Sequence, residues 1–403
     1  MRVLGVLAAY APAWGLGGVV RSMSNLCRAM AAAGADVSVY TTNADAGGRC
    51  LDVPVSKPVS IDGVTVTYFP IRLSQRAGWA SRAMERALRE TIDDYDIVYV
   101  GATWQWVGIA ASRIARRQGI PYVIGTHGAF HPSALQCSKV KKRLYWHGFL
   151  RKELARAAAL RFTTEYERGH SSLLDPTVPS FIVPNPLPSQ NGGVETGRTR
   201  AEARTRWGIA DDSFVLLVVT RAHPNKRLDI VLEALRSICR VHPSVRLLLV
   251  GPLDNSCGTQ LRARARDLGV FDAVVWAGYQ DGGGLEACYR ASDLFVLPSE
   301  HENFCMAAAE AMARGLPVVV SRHVGIAADI EHYRAGVVTE VDVGQVTEAI
   351  LDLMADPARC RETAIRAKNT ARQLYDEARV ARLMLRAFED ILAGRRSSEC
   401  GWC

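Results

Sequence analysis

The stretch that most constrains this chain of 403 residues is Ser292–Ser321, SDLFVLPSEHENFCMAAAEAMARGLPVVVS. Leu294 to Leu297 is a short apolar run stopped by Pro298, which predicts a strand buried on both faces. Ser299 to Asn303 is polar and reads as a loop. From about Phe304 to Arg314 the residues are strong helix formers, and Gly315 and Pro317 end the helix. Pro317 to Val320 predicts a second buried strand. Strand, loop, helix and strand in succession make a parallel βαβ unit. Its helix begins at the carboxyl edge of the sheet, where open α/β sheets bind ligands.

Two carboxylates mark that edge. Glu302 stands where the helix starts, beside N–H groups that have no acceptor inside the helix and can hold a phosphate. Glu310 has Met306, Ala307, Ala313 and Arg314 at helical spacing, so it projects from a mostly apolar face. A carboxylate there is costly unless something donates hydrogen bonds to it. The vicinal diol of a ribose would do so. Alternatively, Glu302 complements the helix dipole and Glu310 pairs with Arg314.

A chain this long is expected to divide into two domains, and 48% hydrophobic residues suit a globular α/β protein. No apolar run approaches the roughly 20 residues that cross a bilayer. MRVLGVLAAY at the N-terminus reads as a first strand rather than a signal peptide, because it runs into a glycine turn without a cleavage site. The 10 cysteines are scattered, which fits reduced thiols and a cytoplasmic setting. Cys400 and Cys403 alone are closely spaced, a weak metal or redox signal in an expected flexible tail, 394–403. A net charge of +8 favours anionic partners,. With no nucleic-acid motif, a nucleotide or a membrane surface is preferred over nucleic acid.

Val3–Ala9 predicts a strand, and Gly15-Leu16-Gly17-Gly18 leads into a helix over about Val19–Ala33. Glycine lets a ligand approach the backbone, and the helix start favours its negative charge. The turn lacks the G-x-G-x-x-G spacing of a dinucleotide site. Strands are expected at Val37–Thr42, Val64–Phe69, Ile97–Val100 and Tyr122–Thr126, with helices near Ser81–Thr91 and Trp106–Arg117. The strand at Tyr122 delivers Thr126-His127-Gly128 to the carboxyl edge, which makes His127 either an active-site group or a loop histidine bonded to backbone.

Between Gln136 and Arg161 lie Lys139, Lys141, Lys142, Arg143, Arg151, Lys152, Arg156 and Arg161 against Glu153. Leu144, Tyr145, Trp146, Phe149 and Leu150 interleave them. A basic helix with aromatics suits an anionic membrane surface. It equally suits a helix that packs its aromatics into a core and solvates its charges. Leu160–Thr164, Glu165–Leu174 and Phe181–Val183 read as strand, helix and strand. Pro184-Asn185-Pro186 then breaks the pattern, and the polar segment 189–199 is a linker.

Alternation restarts with strands at Val215–Thr220, Arg246–Val250 and Val274–Ala277 and helices at Leu228–Val241, Gln260–Leu268 and Leu285–Arg290. The first of these strands is followed by Thr220-Arg221-Ala222-His223-Pro224-Asn225-Lys226. Arg221 and Lys226 in a loop at the carboxyl edge, near a helix N-terminus, would make a diphosphate clamp. As surface charges they would need no explanation. After a strand at Ala335–Thr339, helices are expected at Val343–Ala355, Pro357–Leu374 and Glu377–Leu392. The last carries Val380, Leu383, Met384, Ala387, Phe388 and Ile391 on one stripe, suited to bracing the first domain.

GLGG at Gly15–Gly18, Thr126-His127-Gly128, VPNPLP at 183–188, Arg221 with Lys226, VGP at 250–252, and FVLPSEHENF followed by EAM and GLPVVVS carry a resemblance. The chain resembles retaining nucleotide-sugar glycosyltransferases of the GT-B fold, the glycogen-synthase-like and mannosyltransferase-like (family 4-like) group. The resemblance covers nearly the whole chain. It implies two Rossmann-like parallel-sheet domains facing across a cleft: residues 1–189 on the acceptor side, braced by 376–393, and residues 200–375 on the donor side.

By the same resemblance, Arg221 and Lys226 neutralise the donor diphosphate. Backbone amides of Phe304, Cys305 and Met306, next to Asn303, contact phosphates or sugar hydroxyls. Glu302 binds the donor sugar, Glu310 the ribose, and Gly17 and Gly18 lie at the diphosphate. His127 contacts the donor sugar. No metal, cofactor or protein nucleophile is implied. The reaction is transfer of a hexosyl group from a nucleotide sugar to a saccharide or lipid-linked acceptor, with retention, in envelope or polysaccharide assembly. The enzyme would be cytoplasmic, with residues 139–161 on an anionic membrane surface. An epimerase or hydrolase on the same fold, or a binding protein that lost turnover, are the alternatives.

Three positions depart from the family pattern: Cys305 where glycine is usual, Arg227 where glycine follows the lysine, and Val324-Gly325-Ile326 where a glycine pair is thinned. Loops 44–57, 74–79 and 130–138 carry no transferable pattern for the acceptor.

Overall fold

Unbroken apolar runs dominate the strands of this protein, and such runs are stable only when both faces of a sheet are covered. A computed structural model describes residues 1–71, 79–136, 138–188 and 199–395. The expected tail with Cys400 and Cys403, most of the linker 189–199 and most of the loop 74–79 lie outside them. The chain divides into two units. The first holds Met1–Pro188 and the chain from Asp376 onward; the second ends at Tyr375.

The first unit contains β1 (Arg2–Val6), β2 (Asp36–Thr42), β3 (Pro58–Ile61), β4 (Val64–Phe69), β5 (Ile97–Val100), β6 (Tyr122–Gly125), β7 (Ala159–Phe162) and β8 (Ser180–Ile182). Their order is β3-β4-β2-β1-β5-β6-β7-β8. All neighbours are parallel except β3 and β4. β3 has no counterpart in the sequence expectations. It is a four-residue edge strand that begins with a proline, where no ladder donor is needed,.

The second unit contains β9 (Val215–Val219), β10 (Arg246–Val250), β11 (Val274–Gly278), β12 (Leu294–Leu297), β13 (Val318–Ser321) and β14 (Gly336–Thr339). Their order, β11-β10-β9-β12-β13-β14, is parallel throughout. The order reverses direction between β9 and β12, so the loops after these two strands share the crevice where such sheets hold ligands. The helix after β12 is shorter than its composition suggests, Met306–Ala313. Short helices at Arg200–Arg206 and Ala327–His332 were not among the expectations.

The basic stretch is not one helix. It forms a helix at Lys139–Tyr145, a π turn at Trp146–Leu150 and a last turn at Arg151–Leu154. Tyr145, Trp146 and Phe149 pack against the core around Leu150 and Leu154, so its aromatics face inward. Arg161 does not belong to the surface charge at all. It points into β7 and is 1% exposed, with Glu153 also buried beneath Arg116. Sequence spacing counts charges but does not tell a strand interior from a helix face.

The helix Glu377–Leu392 lies on the first unit. Val380, Ala381, Met384, Ala387 and Phe388 join Met23, Leu26 and Met30 of the helix Gly18–Ala32 in one core cluster, and Arg28 pairs with Glu377 at 2.7 Å. Phe388→Ala should therefore cost about 3–5 kcal/mol in urea unfolding, whereas Leu383→Ala, on the half-exposed flank, should cost under about 1 kcal/mol. Equal losses at both would mean that this stripe does not seat the helix.

Candidate active site

In the second unit the loops after β9 and β12 are sewn together. The Asn225 carbonyl accepts from the Glu300 amide at 2.8 Å. Lys226 closes a single turn of 3-10 helix that His223 caps through its side chain, and only 8% of Lys226 is exposed. Its Nζ sits 2.5 Å from Glu302 Oε1. The buried ammonium is tolerable because the partly buried Glu302 carboxylate is its partner,. Arg221, five residues earlier on the same loop, is exposed and has no side-chain partner among the described residues.

The Glu302 segment is also pinned from the other side. Its amide donates to the His323 carbonyl at 3.0 Å, and its carbonyl accepts from Gly325 at 2.9 Å. A side chain on Gly325 would put its Cβ 1.9 Å from the Asn303 carbonyl oxygen, so the Asn303–Phe304 backbone lies directly on that glycine. Gly251 does the same for the other loop: an added Cβ would come within 1.9 Å of the Thr220 oxygen, and Ala222 donates to Pro252 at 3.1 Å. Phe304 is buried with its ring edge against Tyr375 at 5.2 Å. Met306 opens the helix, whose first amides have no acceptor within it,.

Glu310 is 8% exposed. Its Oε2 accepts from the Tyr289 hydroxyl at 2.9 Å. Burial, reinforced by the Glu310 charge, raises the Tyr289 pKa well above that of a free phenol, so the hydroxyl stays a donor. Arg314 makes its ion pair with Glu286 at 2.7 Å and bonds the Glu310 main-chain carbonyl at 2.9 Å. Its charge lies close to the Glu310 carboxylate as well. Lys226, Glu302 and the Cys305–Met306 helix start thus meet at one sheet edge. Glu310 lies one turn further along the same helix.

In the first unit, Gly17 has φ 101° and precedes the helix that starts at Gly18. A Cβ on either glycine would meet nothing within 4 Å, so the space they leave is open to a ligand. His127 has a left-handed backbone, φ 46°, and is half-buried at the carboxyl end of β6. Burial, helped by the Arg161 charge, pushes its pKa down to about 3, so the imidazole is neutral. The turn is held by Glu167: Oε1 accepts from the Thr126 hydroxyl at 2.6 Å and the Gly128 amide at 2.5 Å. Oε2 accepts from the Thr163 amide and hydroxyl, both at 2.7 Å. Among the described residues no group of three or more His, Cys, Asp and Glu could hold a metal ion.

Residues 199–373 match the family described as Glycosyl transferases group 1, and residues 17–185 match Glycosyl transferase 4-like domain. A D-inositol 3-phosphate glycosyltransferase of Acidothermus cellulolyticus is 29% identical over 95% of this chain and 87% of its own length. A GDP-mannose-dependent alpha-(1-6)-phosphatidylinositol monomannoside mannosyltransferase of Mycolicibacterium smegmatis is 28% identical over 77% of this chain and 80% of its own. Among solved structures, Anabaena Alr3699/HepE in complex with UDP superposes with a TM-score of 0.75 at 18% identity, covering 97% of this chain and all of that one. This chain is a GT4-like glycosyltransferase of the GT-B fold.

Against that glycosyltransferase background, two of the three departures acquire a physical meaning. Cys305 and Arg227, both where glycine is usual, have φ 75° and 49°. Glycine suits such positions because it has no Cβ to clash. Arg227 is held there by Asp229 at 2.9 Å and Glu300 at 3.2 Å. Cys305 is buried, and burial raises its thiol pKa, with Glu302 adding to the rise and Lys226 opposing it. The thiol is therefore neutral beside the ion pair. The third departure is a place where the glycine that remains, Gly325, is the one the backbone contact requires.

Glu167, Tyr289, Tyr99 and Arg161 were not found from the sequence. Glu167 sits in Thr164-x-x-Glu167, a pattern that reads as a helix cap, and Thr164 does accept from the Glu167 amide at 3.1 Å. Its carboxylate is spent on the neighbouring turn instead. Gly325→Ala should cost about 1–3 kcal/mol of stability by displacing the Asn303 carbonyl and should weaken nucleoside diphosphate binding. Urea unfolding and isothermal titration of the variant check this; unchanged values in both would show that the contact is not needed.

Proposed function

We propose that this glycosyltransferase transfers a hexosyl group, with retention and without a metal, from a uridine or guanosine diphosphate sugar to a saccharide or lipid-linked acceptor. The observation that carries the reading is the buried Lys226–Glu302 pair, at 2.5 Å, beside the start of the Met306–Ala313 helix with Arg221 on the same loop. A cation already held in place can turn from its carboxylate to an arriving diphosphate without a new conformational search. Arg221, exposed and without a partner among the described residues, adds a second positive charge.

The bond from the anomeric carbon to the diphosphate oxygen breaks as negative charge grows on that oxygen. Lys226, Arg221 and the amides of Cys305 and Met306 stabilise the growing charge more than the ground state, which is what lowers a barrier. The acceptor hydroxyl attacks the same face of the sugar. Its proton passes to the departing phosphate oxygen, and no covalent sugar–protein bond forms. Glu302 accepts from sugar hydroxyls, Glu310 from the ribose diol, and His127 bonds a sugar hydroxyl. Gly17 and Gly18 leave room for the diphosphate. The names of the relatives, which include a GDP-mannose-dependent transferase and a UDP complex, support both nucleotides as probes.

The acceptor reading extends to the membrane. On the helix Lys139–Tyr145, Val140 and Leu144 are 76% and 69% exposed, one turn apart. Lys139, Lys141 and Arg143 are exposed around them. Apolar residues in water flanked by cations suit a peripheral contact with anionic lipid, which would bring a lipid-linked acceptor within reach. Lys142 is not part of this face; its Nζ bonds the Ala134 carbonyl at 2.5 Å and lies over Trp104. Among the described residues no helix is long and apolar enough to cross a membrane.

Arg221→Ala and Lys226→Ala should each weaken UDP or GDP binding by roughly tenfold to a hundredfold in isothermal titration, the scale of a charge-assisted hydrogen bond. Undiminished affinity in both would remove the diphosphate clamp. Vesicles containing phosphatidylserine should sediment the protein in a salt-sensitive way, and Val140→Ser with Leu144→Ser should abolish this. Equal binding to neutral phosphatidylcholine vesicles would count against the membrane contact.

A further inference from the structure

Arg161 is a cation placed inside the first unit's sheet. It is 1% exposed on β7, and its hydrogen-bond acceptors are all neutral: the Val183 carbonyl at 3.1 Å, the Pro184 carbonyl at 2.9 Å, Asn185 Oδ1 at 3.2 Å and the Tyr99 hydroxyl at 3.1 Å. A buried cation without a carboxylate on it costs several kcal/mol relative to an apolar residue of similar size. The bonds to residues 183–185 tie β8 to β7, and an apolar side chain could pack there instead. The bond to Tyr99 is different, because it leads to His127.

Tyr99 is buried on β5, and its hydroxyl lies 3.0 Å from His127 Nε2. The floor under this contact is made of glycine. A Cβ at Gly125 would fall 1.9 Å from the Tyr99 oxygen and 2.7 Å from Nε2, and one at Gly101 would fall 3.6 Å from Nε2. The contact is therefore built into the sheet. A guanidinium can only donate, so the Tyr99 oxygen accepts from Arg161. The phenol has one hydrogen, and among the described residues the acceptor recorded for it is Nε2. A buried hydroxyl left without an acceptor is costly, which orients the hydrogen toward the ring. Nε2 then accepts, and the ring's own proton resides on Nδ1.

We infer that Arg161 and Tyr99 are positioning residues that hold His127 as the neutral Nδ1–H tautomer, so that it donates a hydrogen bond to a hydroxyl oxygen of the donor sugar rather than taking a proton from it. The role toward the sugar rests on the transfer reading above; the tautomer does not. The groups facing this chain are few. Arg161 comes from β7 and disfavours an imidazolium. Tyr99 comes from β5. Glu167 spends both oxygens on Thr126, Gly128 and Thr163. Cys27, on the helix Gly18–Ala32, faces Tyr99, and burial keeps it a neutral thiol. None of them offers Nε2 a competing donor.

This arrangement makes a weak base into a fixed donor. A histidine meant to deprotonate an acceptor would need a free ring nitrogen and a pKa near the working pH. Here the basic nitrogen is occupied from below, and burial with Arg161 keeps it from charging. The proton that leaves the acceptor goes elsewhere, in keeping with its transfer to the departing phosphate.

The test is nitrogen NMR on ligand-free protein labelled with 15N-histidine, with His127 assigned by the signals lost in His127→Asn. Across about pH 5 to pH 8, a range in which an ordinary histidine titrates, His127 should show a protonated, pyrrole-type Nδ1 and an unprotonated, pyridine-type Nε2 with no titration. In Tyr99→Phe, which removes the hydrogen that Nε2 accepts, the two signals should move toward each other as the tautomers mix. An Nε2–H tautomer or an imidazolium in the parent protein would overturn the inference, and so would an unchanged Nδ1–H signal in folded Tyr99→Phe. A parent protein with the expected signals but no sugar transfer would leave the tautomer standing and sink the transfer reading alone.

Discussion

A lysine ammonium 2.5 Å from a glutamate carboxylate ties together two loops at the carboxyl edge of the second sheet. Lys226 and Glu302 come from loops that follow β9 and β12, neighbours in the second sheet but separated along the chain by β10, β11 and the helices around them. Lys226 is buried and Glu302 partly so, and each offsets part of the other's desolvation,. Together they are stable, and the pair fixes the distance between the two loops. A parallel sheet supplies the framework, because its strands all end at one edge and every loop there is adjacent to another.

The backbone contacts behind that pair are as restrictive as the pair itself. Gly325 and Gly251 each let a carbonyl of a site loop come closer than any Cβ would permit. Cys305 and Arg227 work the other way. They occupy left-handed backbone that glycine would take without strain, and their side chains repay some of the cost, Arg227 through two carboxylates and Cys305 through burial. The site is therefore less pliable at these two points than one built from glycines, since glycine's extra backbone freedom is absent. A thiol at 305 also brings a side chain to a backbone segment expected to meet the sugar.

The first unit uses a different device. Its His127 turn is gripped by one buried carboxylate, Glu167, and its ring is held from beneath by a tyrosine and an arginine. Both units thus place a polar network at the carboxyl edge of an apolar sheet. Low dielectric strengthens every bond in such a network and makes an unmet partner costly, which is why these groups can be counted on to hold their geometry.

By itself the sequence determined the two runs of alternating strands and helices, because buried parallel strands must be apolar and their helices must end at glycine or proline. It also determined which loops carry charge, since Arg221, Lys226, His127 and Glu302 each stand directly after an apolar run. Tertiary structure alone decided that Lys226 and Glu302 touch, that Tyr289 donates to Glu310, and that Arg161 is a strand interior residue rather than one more surface cation. Spacing along a chain records the period of a strand or helix. It carries no information about which distant residues meet, because that depends on sheet order and on where a carbonyl can rest against a glycine.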